Sequence, residues 1–148
     1  MKNSKDLTKE APRSAHERLG RYVILARTID KARATLEGKV GEYHFDCPLD
    51  RMLFSFKAVD GEEFLRQVKN GKSDELLVEW MDESGIPKTP EEIDQWSDTL
   101  EGMKPYEDPE RREWFVEQCE PLHLDPAQTT LFDWLDADDQ ASFAVAHP

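Results

Sequence analysis

Residues 14–50, SAHERLGRYVILARTIDKARATLEGKVGEYHFDCPLD, contain the longest helical pattern of the chain and decide how the other segments must pack. Ser14 and Glu17 have the spacing of a capping box, which predicts a helix from about Ala15 to Leu36. At about 100° per residue, the apolar side chains of this segment fall on one face, namely Leu19, Tyr22, Val23, Ala26 and Ile29. We therefore expect this face to pack against the core.

Two charged residues, Asp30 and Arg33, fall inside this apolar face rather than opposite it. A buried charge is costly unless it is paired and hydrogen-bonded, so we expect both side chains to be buried and to contact an opposite charge. They are three residues apart and can pair with each other, and Arg27 is equally close to Asp30. The structural interpretation is an ion pair that fixes the helix to another segment. The functional interpretation is a ligand site formed with Arg27 and with Lys31, one step round the helix.

The chain of 148 residues is long enough for a domain with a substantial core, and 38% of its residues are hydrophobic. Residues 1–13 are polar and predict an extended arm, followed by a single helical domain over residues 14–148. No apolar run reaches the length of a membrane span, and the first residues lack the apolar core of a signal peptide. Two cysteines are too few for a disulfide scaffold. We therefore expect a cytoplasmic protein with reduced thiols and no membrane partner.

Acidic residues are concentrated in the second half of the chain. The net charge is −13, but residues 1–69 carry a net charge of +3 and residues 70–148 a net charge of −16. This balance argues against a nucleic-acid partner, which requires a basic surface. The run Asp136, Asp138 and Asp139 lacks the glycine and the downstream glutamate of a calcium-binding loop. It is typical of a solvated helix end.

Helix start signals recur along the rest of the chain. A capping residue, in several cases followed by proline, occurs at Asp46 or Cys47 before Pro48, and at Asp60, Ser73, Thr89-Pro90, Asp108-Pro109 and Asp125-Pro126. Apolar residues follow each signal at helical spacing, whereas no segment alternates as a strand would. The sequence therefore predicts an all-α fold, a single irregular bundle of six or seven short helices. At most a very short extended piece is expected near Tyr43.

Two pairs of candidate zinc ligands are closely spaced: His44 with Cys47, and Cys119 with His123. Two cysteines and two histidines can complete a closed tetrahedral zinc site. Each spacing is also common by chance, and free cysteines are usually buried as small apolar residues. We therefore favour reduced thiols without a cofactor, and keep a zinc site at these four residues as the alternative.

The segment GEYHFDCP, which contains His44, also offers the residues of a Cys-His hydrolase. Cys47 would be the nucleophile and His44 the base, and Asp46 or Asp50 would orient the base. Cys47 directly precedes a predicted helix, whose N-terminus favours a thiolate. However, the sequence contains no P-loop, no GxGxxG, no HExxH and no GxSxG motif. The balance of these observations favours a protein that is not an enzyme.

Five segments resemble the bacterial domain-of-unknown-function family 5069. They are DLTKEAPRS, RYVILARTIDKARA, GEYHFDCPLD, KTPEEIDQWSD and TTLFDWLDADDQASF, and together they extend from Asp6 to about Phe143. The resemblance implies a small bacterial helical domain with no established activity. It assigns no catalytic residue, so the candidate site rests on the residues alone.

Together these observations favour a non-catalytic ligand- or partner-binding protein with a regulatory role. The partner is an unidentified small molecule or protein, and its site would lie where the first helix meets the GEYHFDCP segment. The candidate ligand-binding residues are Arg27, Asp30, Lys31, Arg33 and His44. The alternative is a hydrolase or zinc protein that uses the GEYHFDCP segment. An open pocket holding these residues would favour a ligand or an enzyme, and full burial would favour a structural role.

Overall fold

Seven α-helices make up most of residues 4–144, the part of the chain that the computed structural model describes. They are α1 (Leu25–Leu36), α2 (Pro48–Lys57), α3 (Gly61–Lys69), α4 (Asp74–Glu83), α5 (Pro90–Glu101), α6 (Arg112–Cys119) and α7 (Leu131–Ala144), with 3-10 helices at Pro105–Glu107 and Glu120–Leu122. These residues contain no strand, and the backbone around Tyr43 forms turns. The predicted all-α class is therefore confirmed. None of the described helices could cross a bilayer, since even α7 has only 14 residues.

Helices α2 to α5 begin where the sequence predicts. Cys47 precedes Pro48 at the first position of α2, while Asp60 and Ser73 accept backbone hydrogen bonds at the starts of α3 and α4. Thr89 and Glu92 form a complete capping box at α5. These four starts are correct because each depends on neighbouring residues alone.

The predicted start of the first helix at Ala15 is wrong, because α1 begins ten residues later, at Leu25. The backbone of Gly20, Arg21 and Ile24 has φ values of 57°, 78° and 74°, which an α-helix cannot contain. A Cβ atom on Gly20 would lie 2.2 Å from Cγ1 of Val78, so this position requires glycine both for its φ and for space.

Contacts with α5 and α7 explain why residues 14–24 do not extend the helix. The hydroxyl of Ser97 on α5 donates to the carbonyl of Arg21 and accepts from the amide of Val23. Ser14 accepts from the amide of His16 and donates to Asp136 on α7, so it forms no capping box. These tertiary hydrogen bonds replace the helical ones that the local pattern predicts.

The starts predicted at Asp108 and Asp125 are also displaced. Each aspartate accepts a hydrogen bond from the amide two residues on and closes a turn. Helix α6 then begins at Arg112, and α7 begins at Leu131 and includes the acidic run. The prediction that this run is a solvated helix end is therefore wrong for Asp139, which is buried.

Helix α1 lies at the centre of the bundle. Ten of its twelve residues, from Leu25 to Ala34, are buried, so it has no solvent-facing side. Its apolar residues join Phe54, Phe64 and Phe132 in the core. Because the helix is buried all round, its charged residues are buried too, and this determines where a site can form.

Candidate functional site

All four charged residues in the buried part of α1 form ion pairs with other segments. The pairs join the arm, α2, α4 and α7 to the central helix: Asp30 with Arg13 (3.0 Å), Arg27 with Asp139 (2.8 Å), Lys31 with Asp50 (3.0 Å) and Arg33 with Asp74 (3.0 Å). A buried charge requires such a partner. Thus these side chains position α1 against its neighbours.

On one side of α1, two carboxylates and two guanidinium groups form what we call the closed network: Arg13, Asp30, Arg33 and Asp74. The carboxylate of Asp30 accepts from both the backbone amide and the side chain of Arg13. Arg13 also reaches Asp74 at 2.9 Å, and Arg33 pairs with the same carboxylate. Burial raises the pKa of Asp74, but these two cations outweigh it and hold the pKa below its usual value.

The burial predicted for Asp30 and Arg33 is confirmed, since they are 2% and 5% exposed. The predicted contact of Asp30 with a basic group is also confirmed, but the group is Arg13, 17 residues earlier, rather than Arg27 or Arg33, the two options that helical spacing offers. Neither Asp30 nor Arg33 lines a described pocket. This half of the predicted ligand set therefore has the geometry of a structural ion pair.

A cleft of about 520 Å³ opens on the other side of α1, where α1 meets the GEYHFDCP segment and α7. We call it the α1–α7 cleft. Its lining includes Leu7, Arg27, Lys31, Tyr43, His44, Cys47, Leu49, Leu135, Asp138 and Phe143. The volume lies within the range of about 300–1,000 Å³ that is typical of small-molecule sites. The cleft therefore brings together the remaining predicted ligand residues, Arg27, Lys31 and His44.

The guanidinium of Arg27 is already neutralised within the wall of the cleft. It donates two hydrogen bonds to Asp139, at 2.8 and 3.2 Å, and it lies 5.5 Å from the centre of the Tyr43 ring. The hydroxyl of Tyr43 donates to the same carboxylate. Burial and this hydrogen bond raise the pKa of Tyr43, so its hydroxyl stays protonated. The three side chains form a hydrogen-bonded wall of the cleft.

Lys31 occupies the floor of the cleft between an acid and a thiol. Its Nζ atom lies 3.0 Å from Oδ1 of Asp50 and 3.2 Å from Sγ of Cys47. Asp50 is fully buried and also accepts from the hydroxyl of Thr28 and the amide of Asp46. The ammonium group is thus balanced by Asp50 while it contacts the sulfur.

The hydrolase candidates are only partly brought together. His44 and Cys47 line the same cleft, but in residues 4–144 no hydrogen bond joins them. The carboxylate of Asp46 lies 3.5 Å from Arg51, and that of Asp50 binds Lys31. Neither aspartate is therefore positioned to orient His44, and the contact partner of Cys47 is Lys31.

The zinc candidates lie in three different places. His44 and Cys47 line the α1–α7 cleft, Cys119 is buried at the end of α6, and His123 lines another cleft. Burial raises the pKa of the Cys119 thiol, which favours its protonated form. Within residues 4–144 these ligand atoms do not gather within 4.8 Å of one another.

A different His-carboxylate cluster lies between α5, α7 and the segment that precedes α1. The ring of His16 contacts Glu101 through Nδ1 (3.1 Å) and Asp133 through Nε2 (2.8 Å). Ligand atoms of His16, Asp133 and Asp136 lie within 4.8 Å of one another, which is close enough to hold a cation. Burial lowers the pKa of His16, but the two carboxylates outweigh it and raise the pKa above its usual value. Because both ring nitrogens have acidic partners, we interpret the cluster as ion pairs of a protonated His16 rather than as a cation site.

A second and larger cleft, of about 1,100 Å³, lies on the opposite side of α7, against residues 9–12 of the arm and residues 121–124. The buried charged residue in its lining is Asp139, which is already paired with Arg27. The smaller cleft is therefore the better candidate, because its lining converges on several buried polar groups.

Sequence patterns do not single out two residues of the α1–α7 cleft, Asp138 and Phe143. Both lie on α7, after Leu135. A helical pattern extended through the acidic run would have placed them about one and two turns after Leu135, which also lines the cleft.

A family model described as a domain of unknown function (DUF5069) matches residues 9–141, so the chain belongs to this family. Comparison with curated proteins gives no match.

Proposed function

We propose that this member of the family is a non-catalytic ligand-binding protein whose ligand occupies the α1–α7 cleft. The observation that carries the proposal is the convergence of Arg27, Lys31 and His44 on one cleft of small-molecule size. Two of these side chains, Arg27 and Lys31, lie on the buried helix α1 and are fixed by ion pairs to Asp139 of α7 and Asp50 of α2. A site on such a rigid element loses little conformational freedom when a ligand binds.

The chemistry of the cleft supports binding rather than catalysis. A Cys-His nucleophile requires base and thiol within hydrogen-bond reach, whereas Cys47 contacts Lys31 in the described structure. We further infer a bacterial, cytoplasmic protein without a nucleic-acid partner, from the family resemblance, the two free thiols and the net charge of −13. The volume of the cleft favours a small molecule over a protein segment as the ligand.

One contact favours the hydrolase as a second candidate function. The sulfur of Cys47 lies at the N-terminus of α2 and 3.2 Å from a lysine ammonium, which is the environment of reactive thiols. If this candidate is correct, Cys47→Ser abolishes turnover of ester substrates by the purified protein. If the binding proposal is correct, neither the wild type nor Cys47→Ser hydrolyses them.

A fragment screen on isotope-labelled protein tests the binding proposal. We expect at least one fragment to shift the backbone amide signals of Tyr43, Cys47 and Leu135, and to raise the melting temperature. Ser142→Trp places a large side chain at the exposed rim of the cleft and should abolish the shifts. The matched control, Thr99→Trp on the exposed side of α5, should leave them unchanged. Fragments that bind only elsewhere, or bind both variants equally, would overturn the proposal.

A further inference from the structure

We infer that the ligand of the α1–α7 cleft is a small organic cation, which binds the carboxylate of Asp138 and the aromatic rings of Tyr43 and Phe143. This inference rests on the proposed function and specifies its ligand class. It starts from the balance of charge around α1.

The buried and half-buried charges around α1 cancel. Four cations face four carboxylates, with closest contacts of 2.8–3.0 Å: Arg13, Arg27, Lys31 and Arg33 against Asp30, Asp50, Asp74 and Asp139. The two cations that line the cleft, Arg27 and Lys31, are each less than 5% exposed and already paired. An anionic ligand would have to displace a buried carboxylate from either of them, which is costly. The two cations of the cleft are therefore not readily available to bind an anionic ligand.

Asp138 is the half-buried acidic residue of the cleft lining that takes no part in these ion pairs. Within the described residues its carboxylate forms neither a hydrogen bond nor an ion pair. Burial, together with the adjacent charge of Asp139, raises the pKa of Asp138 above its usual value. Glu42, at the exposed rim, adds a second negative charge. A cation in the cleft would compensate both groups.

The remaining lining suits the body of such a cation. The rings of Tyr43 and Phe143 are nearly parallel, at an interplanar angle of 11°, with centroids 6.5 Å apart. Aromatic faces attract cations, and Leu49 and Leu135 supply apolar surface beside them. A protonated amine or amidinium on a flat apolar group matches this combination of one free carboxylate, two rings and an aliphatic wall.

Three probes of similar shape and different charge test the inference: benzamidine (cationic), benzamide (neutral) and benzoate (anionic). We would titrate each into isotope-labelled wild type and follow the amide signals of the cleft. Benzamidine should bind there at least about tenfold more tightly than the other two probes, as a hydrogen bond between charged groups predicts. Asp138→Asn should weaken benzamidine about tenfold and leave benzamide unchanged.

The matched control is Asp136→Asn on the same helix. The carboxylate of Asp136 is bound by Ser14 and lies outside the cleft, so this variant should bind benzamidine as the wild type does. The inference of a cationic ligand would be overturned if benzamide or benzoate bound the cleft as tightly as benzamidine or more tightly. It would also be overturned if Asp138→Asn bound benzamidine as tightly as the wild type does, or if benzamidine did not bind in the cleft. The fragment screen distinguishes a failure of this inference from a failure of the proposed function. If neutral or anionic fragments bind in the cleft, the cleft is still a ligand site, and only the cationic class of the ligand is wrong.

Discussion

The two sides of α1 carry the same kind of buried ion pair in different surroundings. In the closed network, Asp30 and Arg33 are held by Arg13 and Asp74, and neither α1 residue lines either of the two clefts described above. On the other side, Arg27 and Lys31 are paired just as closely and yet form the wall of a cleft. Burial and pairing alone therefore do not distinguish a charge in a closed network from one that lines a cleft. The distinction is the space beside the pair.

The two sides of α1 also differ in the direction in which the pKa of one carboxylate is shifted. Asp74 lies between two guanidinium groups, which lower its pKa against the effect of burial. The carboxylate of Asp138 forms no ion pair within the described residues, and burial and Asp139 raise its pKa more than the charge of Arg27 lowers it. The closed network thus stabilises an ionised acid, whereas the cleft contains one whose charge destabilises the empty protein.

The largest loss of stability is expected for substitutions in the closed network. Asp30→Asn should lower the free energy of unfolding by about 3–5 kcal/mol, because it leaves Arg13 and its amide without their main acceptor. Urea denaturation measures the loss. The control is Asp94→Asn, whose exposed pair with Arg21 should contribute about 0–1 kcal/mol. A loss below about 1 kcal/mol in both Asp30→Asn and Arg33→Met would contradict the buried network.

A smaller loss is expected on the cleft side. Arg27→Met should cost about 1.5–3 kcal/mol, because the hydroxyl of Tyr43 continues to donate to Asp139. The double variant with Asp139→Asn should cost less than the sum of the two single variants, because both remove one interaction. Strictly additive losses in urea denaturation would show that Arg27 and Asp139 act independently.

The pH dependence of stability should reflect Asp74. Because the folded protein lowers this pKa, its stabilisation is present above the unfolded pKa of about 3.8 and is lost as the pH falls through the folded value. Asp74→Asn should therefore be less stable than the wild type at pH 7, by about 1–2 kcal/mol for a half-buried pair. The difference should shrink below pH 4. Denaturation curves between pH 2 and 7 test this, and a difference that grows with acidity would be the contrary result.

The smallest change in the free energy of unfolding is expected for Asp138→Asn, and it has the opposite sign to the changes above. Its folded pKa is raised, so the ionised form disfavours folding at neutral pH, and stability is regained as the pH falls through that value. Asp138→Asn should make the empty protein slightly more stable at pH 7, by less than about 1 kcal/mol, and equal to the wild type below pH 4. A destabilised Asp138→Asn at pH 7 would mean that this carboxylate has a structural partner.

Much of the fold follows from local sequence. The starts of α2 to α5 depend on a capping side chain and one or two neighbours, so their positions can be predicted. The start of α1 cannot, because Ser97, more than seventy residues away, takes the backbone groups of Arg21 and Val23. Local capping rules contain no information about such a partner.

The candidate site is predictable to a similar degree. Helical periodicity correctly places Asp30 and Arg33 in a buried face, but it cannot identify Arg13 as the partner, since Arg13 lies in a non-helical segment. The position of the cleft, where the GEYHFDCP segment meets α1, agrees with the predicted place of the site. Its charge balance depends on Asp138 and Asp139, whose surroundings are set by tertiary packing.

The four ion-pair partners of α1 also bear on how the chain folds. They stand at positions 13, 50, 74 and 139, so the central helix is fully neutralised only after segments from almost the whole described chain have docked. Bringing Arg27 and Asp139 together closes a long loop of the chain. Contacts between residues that are close in sequence do not compensate for the conformational entropy lost in closing it. During synthesis α7 emerges after the other helices, and until then Arg27 cannot be buried beside its carboxylate. We therefore expect folding to be a single cooperative step that waits for α7, with residues 1–130 alone remaining sensitive to proteases.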